Sequence, residues 1–158
     1  MHSEHQKFMK MAIDLSREGI RAGVGGPFGC VIVKDGEVVG KGSNAVSSSN
    51  DPTAHAEVVA IRDACKSLGH FQLDGCILYT SCEPCPMCLG AIYWARPAKV
   101  YYANTKIDAA RIDFDDQFIY EELKLPFEQR KIPFQQLMKE EAWEVFEEWK
   151  NKSDKTLY

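Results

Sequence analysis

Hydrophobic residues recur at helical spacing in two long stretches of the chain. Between about residues 5 and 22, and again between about residues 54 and 68, apolar side chains return every three or four positions, which predicts two amphipathic helices. Short apolar runs bounded by turn-forming residues predict strands, which we place at about residues 28–33, 38–42, 76–80 and 99–103. Between the last two strands, a further helix is predicted to begin at Pro84 and to end before Arg96.

The last third of the chain has a less regular pattern. A strand is predicted around residues 132–137, and a final helix from about residue 139 to residue 150. Strands that alternate with helices are typical of a layered α/β architecture, in which helices cover the faces of a sheet. The pattern therefore favours a single three-layer α/β/α domain over residues 1–158, with about five strands in its central sheet.

Composition and charge argue against several classes of protein. No apolar run approaches the length of a membrane span, and the first 20 residues mix charged with apolar side chains, so we expect no signal peptide and a cytoplasmic location. The net charge is −4 and the basic residues are scattered, whereas proteins that bind nucleic acids usually cluster their basic residues. A nucleic-acid partner and a membrane partner are therefore not expected.

The six cysteines are expected to serve metal binding, catalysis or core packing, because disulfides are rare in a reducing compartment. Three of them lie in apolar patterns and are predicted to be core residues: Cys30, Cys65 and Cys76. The other three follow one another at intervals of three in the stretch SCEPCPMC: Cys82, Cys85 and Cys88. Either neighbouring pair of this second group forms a C-x-x-C motif.

Cys85 and Cys88 are the pair predicted to bind a metal ion. They lie three apart near the start of a predicted helix, so they share one face, and the positive end of the helix favours thiolates. His55 lies at the start of another predicted helix and would add an imidazole. Two thiolates and one imidazole suit Zn²⁺, and three protein ligands leave a fourth position for water. Cys82 precedes the helix and is a poor fit as a fourth ligand.

Glu57 follows His55 by two residues, and in a first helical turn both side chains can reach an ion beyond the helix end. A carboxylate beside an activated water can take its proton and deliver it to a leaving group. Alone, Glu57 would be a first-turn residue favoured by the helix dipole. Together with His55 and the downstream P-C-x-x-C, however, it completes the signature of the zinc nucleobase deaminases.

From its first helix to Tyr102 the chain resembles the cytidine and deoxycytidylate deaminase superfamily, and over nearly its whole length it resembles the bacterial guanine deaminases within that superfamily. The stretches that carry the resemblance are GGPFG at residues 25–29, SNDPTAHAEV at 49–58, YTSCEPCPMCLGAIYWARP at 79–97 and FDD at 114–116, together with Tyr158. The resemblance implies the cytidine-deaminase-like fold with a mixed sheet. It also implies a homodimer that exchanges the segment from about residue 115 to residue 158.

The implied reaction is the hydrolysis of guanine to xanthine and ammonia, in purine catabolism or salvage. The implied cofactor is one Zn²⁺ per subunit with a bound water or hydroxide. The resemblance assigns zinc ligation to His55, Cys85 and Cys88, proton transfer to Glu57, a place near the departing amine to Asp116, and contacts with the purine to Phe28, Asn44, the Ala56 backbone N–H and Tyr158.

The same residues are compatible with other functions. The same chemistry acts on guanosine, on cytosine or cytidine, and on the wobble adenosine of tRNA in related enzymes. A different class of protein, a structural-zinc module, would use Cys82 as a fourth ligand and Glu57 as a helix cap. Without the motif context, Phe28 would be a core residue, Asn44 a turn residue, and Asp116 a cap for a helix that begins near Gln117.

Overall fold

A computed structural model of the protein describes residues 3–158. The helices are α1 (Glu4–Arg21), α2 (Val46–Ser49), α3 (Ala56–Leu68), α4 (Pro86–Ala95), α5 (Lys106–Ala110), α6 (Gln117–Lys124) and α7 (Lys139–Asn151), with a 3₁₀ turn at Phe127–Gln129. The strands are β1 (Gly29–Lys34), β2 (Glu37–Ser43), β3 (Ile77–Cys82) and β4 (Lys99–Asn104). Across the described residues, no helix has both the length and the apolar character needed to cross a bilayer.

The four strands form one mixed sheet in the order β2-β1-β3-β4. Strand β1 runs antiparallel to both of its neighbours, whereas β3 and β4 are parallel and are paired from Ile77 opposite Lys99 to Cys82 opposite Asn104. The mixed sheet is therefore confirmed, and so are the four predicted strands in the first two thirds of the chain.

The prediction of about five strands is wrong, because residues 132–137 form no strand in the structure. Pro133 has no backbone N–H to donate to a neighbouring strand. The side chains of Ile132 and Leu137 are 73% and 81% exposed, so the segment has no buried face that would hold it in a sheet.

Helices cover both faces of the sheet. Residues on alternate positions of β1 point to opposite faces, and all of them except the last, Lys34, are buried. Val31 and Val33 pack with Tyr79 against α1. Cys30 and Ile32 belong to a second core that α3 and α4 complete on the opposite face. Because both faces are covered, β1 is a continuous apolar run rather than an alternating one.

Helix α3 lies unusually close to β2 because the two elements meet through small residues. A Cβ added to Gly42 would lie 2.4 Å from the carbonyl oxygen of Ala56, and one added to Gly40 would lie 2.6 Å from that of Ala60. Contacts this short are not tolerated by real Cβ atoms, so these two positions require glycine. This close packing fixes the start of α3 against the sheet.

The chain divides into two compact units, of which the first ends at Asp116 and the second is Gln117–Tyr158. In the second unit, the rings of Phe127 and Phe134 stack at 5.4 Å, and the Arg130 guanidinium lies over both. None of residues 117–158 is buried.

We predict that Gly42→Ala lowers the free energy of unfolding by about 1–3 kcal/mol, because α3 must move away from β2 to accept the added methyl group. Chemical denaturation measures the change. Gly90→Ala is the matched control, since an added Cβ there meets no atom within 4 Å and the residue lies within α4. That control should be neutral or stabilising by up to about 1 kcal/mol. An equal effect at both positions would contradict the close packing of α3.

Candidate metal centre and active site

Three side chains converge where α3 and α4 begin. His55 is the N-cap of α3, Cys85 is the N-cap of α4, and Cys88 lies in the first turn of α4. The Nδ1 atom of His55 is 3.5 Å from the Sγ atom of each cysteine. One ligand atom of each residue lies within 4.8 Å of the others. The predicted ligand set is therefore together in the structure.

These distances fit a zinc ion. Bonds of about 2.3 Å to sulfur and about 2.0 Å to nitrogen, meeting at a tetrahedral angle, separate the sulfur from the nitrogen by roughly 3.5 Å. The two Sγ–Nδ1 distances match this separation. Two sulfurs and one imidazole nitrogen are also the donor types that zinc prefers.

Helix α4 begins at Pro86, not at Pro84 as the sequence predicts. Cys85 has extended backbone angles (φ −67°, ψ 169°) and stands just before the first helical residue. His55 has nearly the same conformation before α3 (φ −70°, ψ 155°). Neither side chain forms the usual capping hydrogen bond, so both are free to bind an ion beyond the helix end.

The two thiols interact closely, and their pKa values shift in opposite directions. Hydrogen bonds from Cys88 and from His55 lower the pKa of Cys85 to about 4. The pKa of Cys88 is raised, chiefly because its thiol donates to Cys85 and because it is buried. The hydrogen bond with Cys85 also raises the pKa of His55. A metal ion that binds here displaces these protons, because its ligands must be deprotonated.

Cys82 is not part of the cluster. Its side chain is buried, and its thiol donates to the carbonyl oxygen of Thr105 at 3.7 Å. Burial raises its pKa to about 11, so the thiol stays protonated. A closed site with Cys82 as the fourth ligand is therefore not the arrangement in the structure, and among residues 3–158 the donor set is His55, Cys85 and Cys88.

Glu57 lies beside the metal ligands and is only 6% exposed. Its Oε1 atom accepts a hydrogen bond from the Thr80 hydroxyl at 2.9 Å, and its carboxylate is within hydrogen-bonding reach of Cys88. Burial raises the pKa of Glu57, which brings it closer to the range in which a carboxyl group can both accept and release a proton near neutral pH. Sequence patterns gave no signal for Thr80, which reaches Glu57 from β3.

Asn44 has a fixed orientation. It is 7% exposed, and its Oδ1 atom accepts hydrogen bonds from the backbone N–H groups of Gly26 at 3.2 Å and Val46 at 3.3 Å. Both bonds use the oxygen of the amide, so the Nδ2 donor is the part left for a ligand. Ala56 is fully buried at the first position of α3, where backbone N–H groups have no partner within the helix.

Phe28 and Phe114 form an aromatic pair with ring centroids 5.0 Å apart at an interplanar angle of 87°. Gly26 lies against both rings, since an added Cβ would be 3.1 Å from Phe114 and 3.3 Å from Phe28. Phe114 belongs to the FDD stretch, but no role for it was predicted. Phe114 reaches Phe28 because the chain turns back after α5, and short sequence patterns do not reveal contacts between distant segments.

Asp116 is half-buried near the cysteine ligands. Its pKa is raised by burial and, to a smaller degree, by the negative charge of Cys85. Tyr158 belongs to the second compact unit, where its side chain is 69% exposed. The roles predicted for these two residues stay predictions.

The cytidine and deoxycytidylate deaminase zinc-binding region matches residues 2–104 of the chain. The chain belongs to this family. The match includes His55, Glu57, Cys85 and Cys88, so the zinc-binding character of the family agrees with the donor set in the structure.

Similar proteins extend the comparison beyond residue 104. Guanine deaminase from Bacillus subtilis (strain 168) is 60% identical over 154 residues, which cover 98% of this chain and 99% of the relative. The X-ray structure of guanine deaminase from Bacillus subtilis superimposes with a TM-score of 0.95 at 58% identity, over 100% of this chain and 99% of the other. A tRNA-specific adenosine deaminase from Aquifex aeolicus (strain VF5) is 45% identical over 98 residues, covering 61% of this chain and 63% of the relative.

We predict that Cys85→Ser abolishes stoichiometric zinc binding, because it removes one of three donors. Elemental analysis of the purified protein measures the zinc content. Cys82→Ser is the matched control and should retain one zinc per chain, since its thiol donates to a carbonyl oxygen instead. Loss of zinc from a folded Cys82→Ser protein would show that Cys82 is a fourth ligand.

Proposed function

We propose that the protein is a guanine deaminase, which hydrolyses guanine to xanthine and ammonia. The deaminase chemistry rests on one observation: a buried carboxylate, Glu57, lies beside a three-donor metal site. The choice of guanine rests on similarity to a guanine deaminase over 98% of the chain, whereas the adenosine deaminase match covers 61%.

A zinc ion held by His55, Cys85 and Cys88 supplies Lewis acidity, which makes water acidic enough to act as a nucleophile near neutral pH. Glu57 accepts the proton that the attacking water loses. It passes this proton to a ring nitrogen of the purine. It then takes the second proton, from the hydroxyl group added at C2, and passes it to the exocyclic amine, so that the C2–N bond breaks, ammonia leaves and a carbonyl remains at C2. Thr80 holds Oε1 of Glu57 and so keeps the carboxylate turned toward the site.

The purine is held by a ring and two donors. Phe28 stacks on the base, and its own position is fixed by the edge of Phe114. The Nδ2 group of Asn44 and the backbone N–H of Ala56 donate hydrogen bonds to acceptor atoms of the purine. Asp116, which is half-buried, is proposed to lie near the departing amine.

The active form is proposed to be a homodimer of single deaminase domains, residues 1–158, in which the segment from about residue 115 to residue 158 is exchanged between subunits. In support, residues 117–158 bury no side chain, and α7 exposes large apolar residues such as Phe146 and Trp149. A helix of this composition is normally stabilised by packing its apolar face on another surface. Tyr158 would then close over the bound purine of the neighbouring subunit.

The same proposal places the protein in the cytoplasm, because zinc-binding thiolates persist in a reducing compartment. Alternative substrates are guanosine, cytosine, cytidine and the wobble adenosine of tRNA. The net charge of −4 does not favour the tRNA alternative, since RNA-binding surfaces usually carry clustered basic residues.

We predict that Glu57→Gln retains zinc and the folded structure but lowers kcat by at least about 10²-fold, because an amide cannot carry the transferred proton. Steady-state kinetics with guanine, run beside zinc analysis and thermal unfolding, measure the effect. If Glu57 served only to cap α3, the variant would turn over at nearly the rate of the parent protein.

We predict that ammonia release is highest with guanine in a panel that also contains guanosine, cytosine, cytidine, adenine and a tRNA stem-loop. A coupled ammonia assay on the zinc-loaded protein compares kcat/KM across the panel. The Glu57→Gln variant is the background control for each substrate. Absence of release from guanine, with release from any other member, would replace guanine by that substrate.

A further inference from the structure

Hydrogen bonds join the loop that precedes α4 to the end of β4 and the start of α5. The backbone N–H of Glu83 donates to the carbonyl oxygen of Asn104 at 2.8 Å. The Oε2 atom of Glu83 accepts the backbone N–H of Lys106, also at 2.8 Å. One residue earlier, the Cys82 thiol donates to the carbonyl oxygen of Thr105. Two adjacent residues therefore bind three consecutive residues of another segment.

Each of the two joined segments leads along the chain to residues of the candidate active site. Glu83 lies two residues before Cys85, which is a predicted zinc ligand. Lys106 begins α5, after which the chain reaches Phe114 and Asp116. The first of these packs against the ring proposed to stack on the base, and the second lies near the cysteine ligands. The hydrogen bonds of Glu83 thus join the segment that carries a metal ligand to the segment that carries Phe114 and Asp116.

Helix α5 has its own cap and does not need Glu83 for that purpose. Thr105 and Asp108 form a reciprocal capping box, in which each side chain accepts the backbone N–H of the other. The Lys106 N–H is a separate first-turn donor, and Glu83 reaches it from another element. The Glu83 bond therefore adds a connection between two segments.

The geometry of this connection is restricted by the residue that follows it. Pro84 biases the backbone of Glu83 toward extended conformations, which limits the directions that its side chain can take. Glu83 is half-buried, and a bond from a carboxylate to a backbone N–H is stronger than one between neutral groups. A stiff backbone with a strong acceptor is suited to holding a neighbouring segment in place.

We propose that Glu83 is a positioning residue for the deamination: it holds the segment from Asn104 to Asp116 against the loop that carries Cys85. Through this link, Asp116 and Phe114 keep their positions relative to the zinc site. Phe114 in turn holds Phe28, the ring proposed to stack on the purine. This role rests on the proposed guanine deaminase function for its kinetic consequence. The structural link itself does not depend on the identity of the substrate.

Hydrogen–deuterium exchange of the zinc-loaded full chain tests the link without any substrate. Glu83→Ala should raise the exchange rates of the amides of residues 105–116 about tenfold or more, which is the scale of a lost hydrogen bond to a charged group. Glu83→Gln should leave them near the parent values, because its amide oxygen can still accept the Lys106 N–H. Asp63→Ala is the matched control, since Asp63 accepts the Lys41 N–H at 2.9 Å through a carboxylate remote from this segment.

Steady-state kinetics test the consequence for the reaction. Glu83→Ala should lower kcat/KM for guanine by roughly ten- to a hundredfold with full zinc content, and Glu83→Gln should restore most of it. In a Phe114→Ala background, the additional loss from Glu83→Ala should be several-fold smaller, because both changes act through one segment. Independent losses that multiply would overturn the proposed route through Phe114.

The remaining outcomes separate the two proposals. Unchanged exchange in Glu83→Ala overturns the positioning role even if the parent protein turns over guanine rapidly. Raised exchange with unchanged kcat/KM also overturns it, since the link would then be structural only. If the parent protein does not act on guanine, the proposed function fails, and the same kinetic comparison is made with whichever substrate of the panel it does accept.

Discussion

Two helices that begin at the same end of the sheet create the conditions for the metal centre. His55 and Cys85 each stand at an N-cap, where a side chain normally accepts a hydrogen bond from the first turn, and neither does so. The backbone N–H groups of both first turns therefore give the cluster a positive environment. This environment favours thiolates, which are the form of cysteine that binds zinc. The first-turn N–H groups that lack a side-chain cap are thus the same groups that favour the metal-binding thiolates.

That arrangement holds only if both helices are fixed against the sheet. For α3, glycine at two positions of β2 lets the helix backbone approach closely between Ala56 and Ala64, so packing against the sheet sets the position of His55 at the helix start. For α4, Ile92 and Ala95 pack into the same core as Cys30 and Leu78. The packing of this core therefore influences the distances between the metal ligands.

Much of the fold and of the metal-ligand set was predictable from the sequence, because helices and the zinc-binding motif depend on the spacing of residues within short stretches. The strand predicted at residues 132–137 was wrong, since an apolar pattern does not by itself provide a partner strand or a buried face. Thr80 and Phe114 were missed because they reach the site through strand register and through a return of the chain after α5. The sequence predicts that Cys82 is a poor ligand, and the bond of its thiol to Thr105 depends on the pairing of β3 with β4, which the sequence does not reveal.

The zinc-binding motif cannot by itself decide which base is deaminated. tRNA-specific adenosine deaminases also match this chain, and these matches cover less than two thirds of it. Under the proposed function, selection among substrates comes from residues around the centre, such as Phe28 and Asn44, and from the segment that carries Phe114 and Asp116. Such residues are useful for selection only if their distance from the metal is fixed. A bond such as that of Glu83 to Lys106 meets this requirement, because it ties a substrate-side segment to the loop that bears a metal ligand.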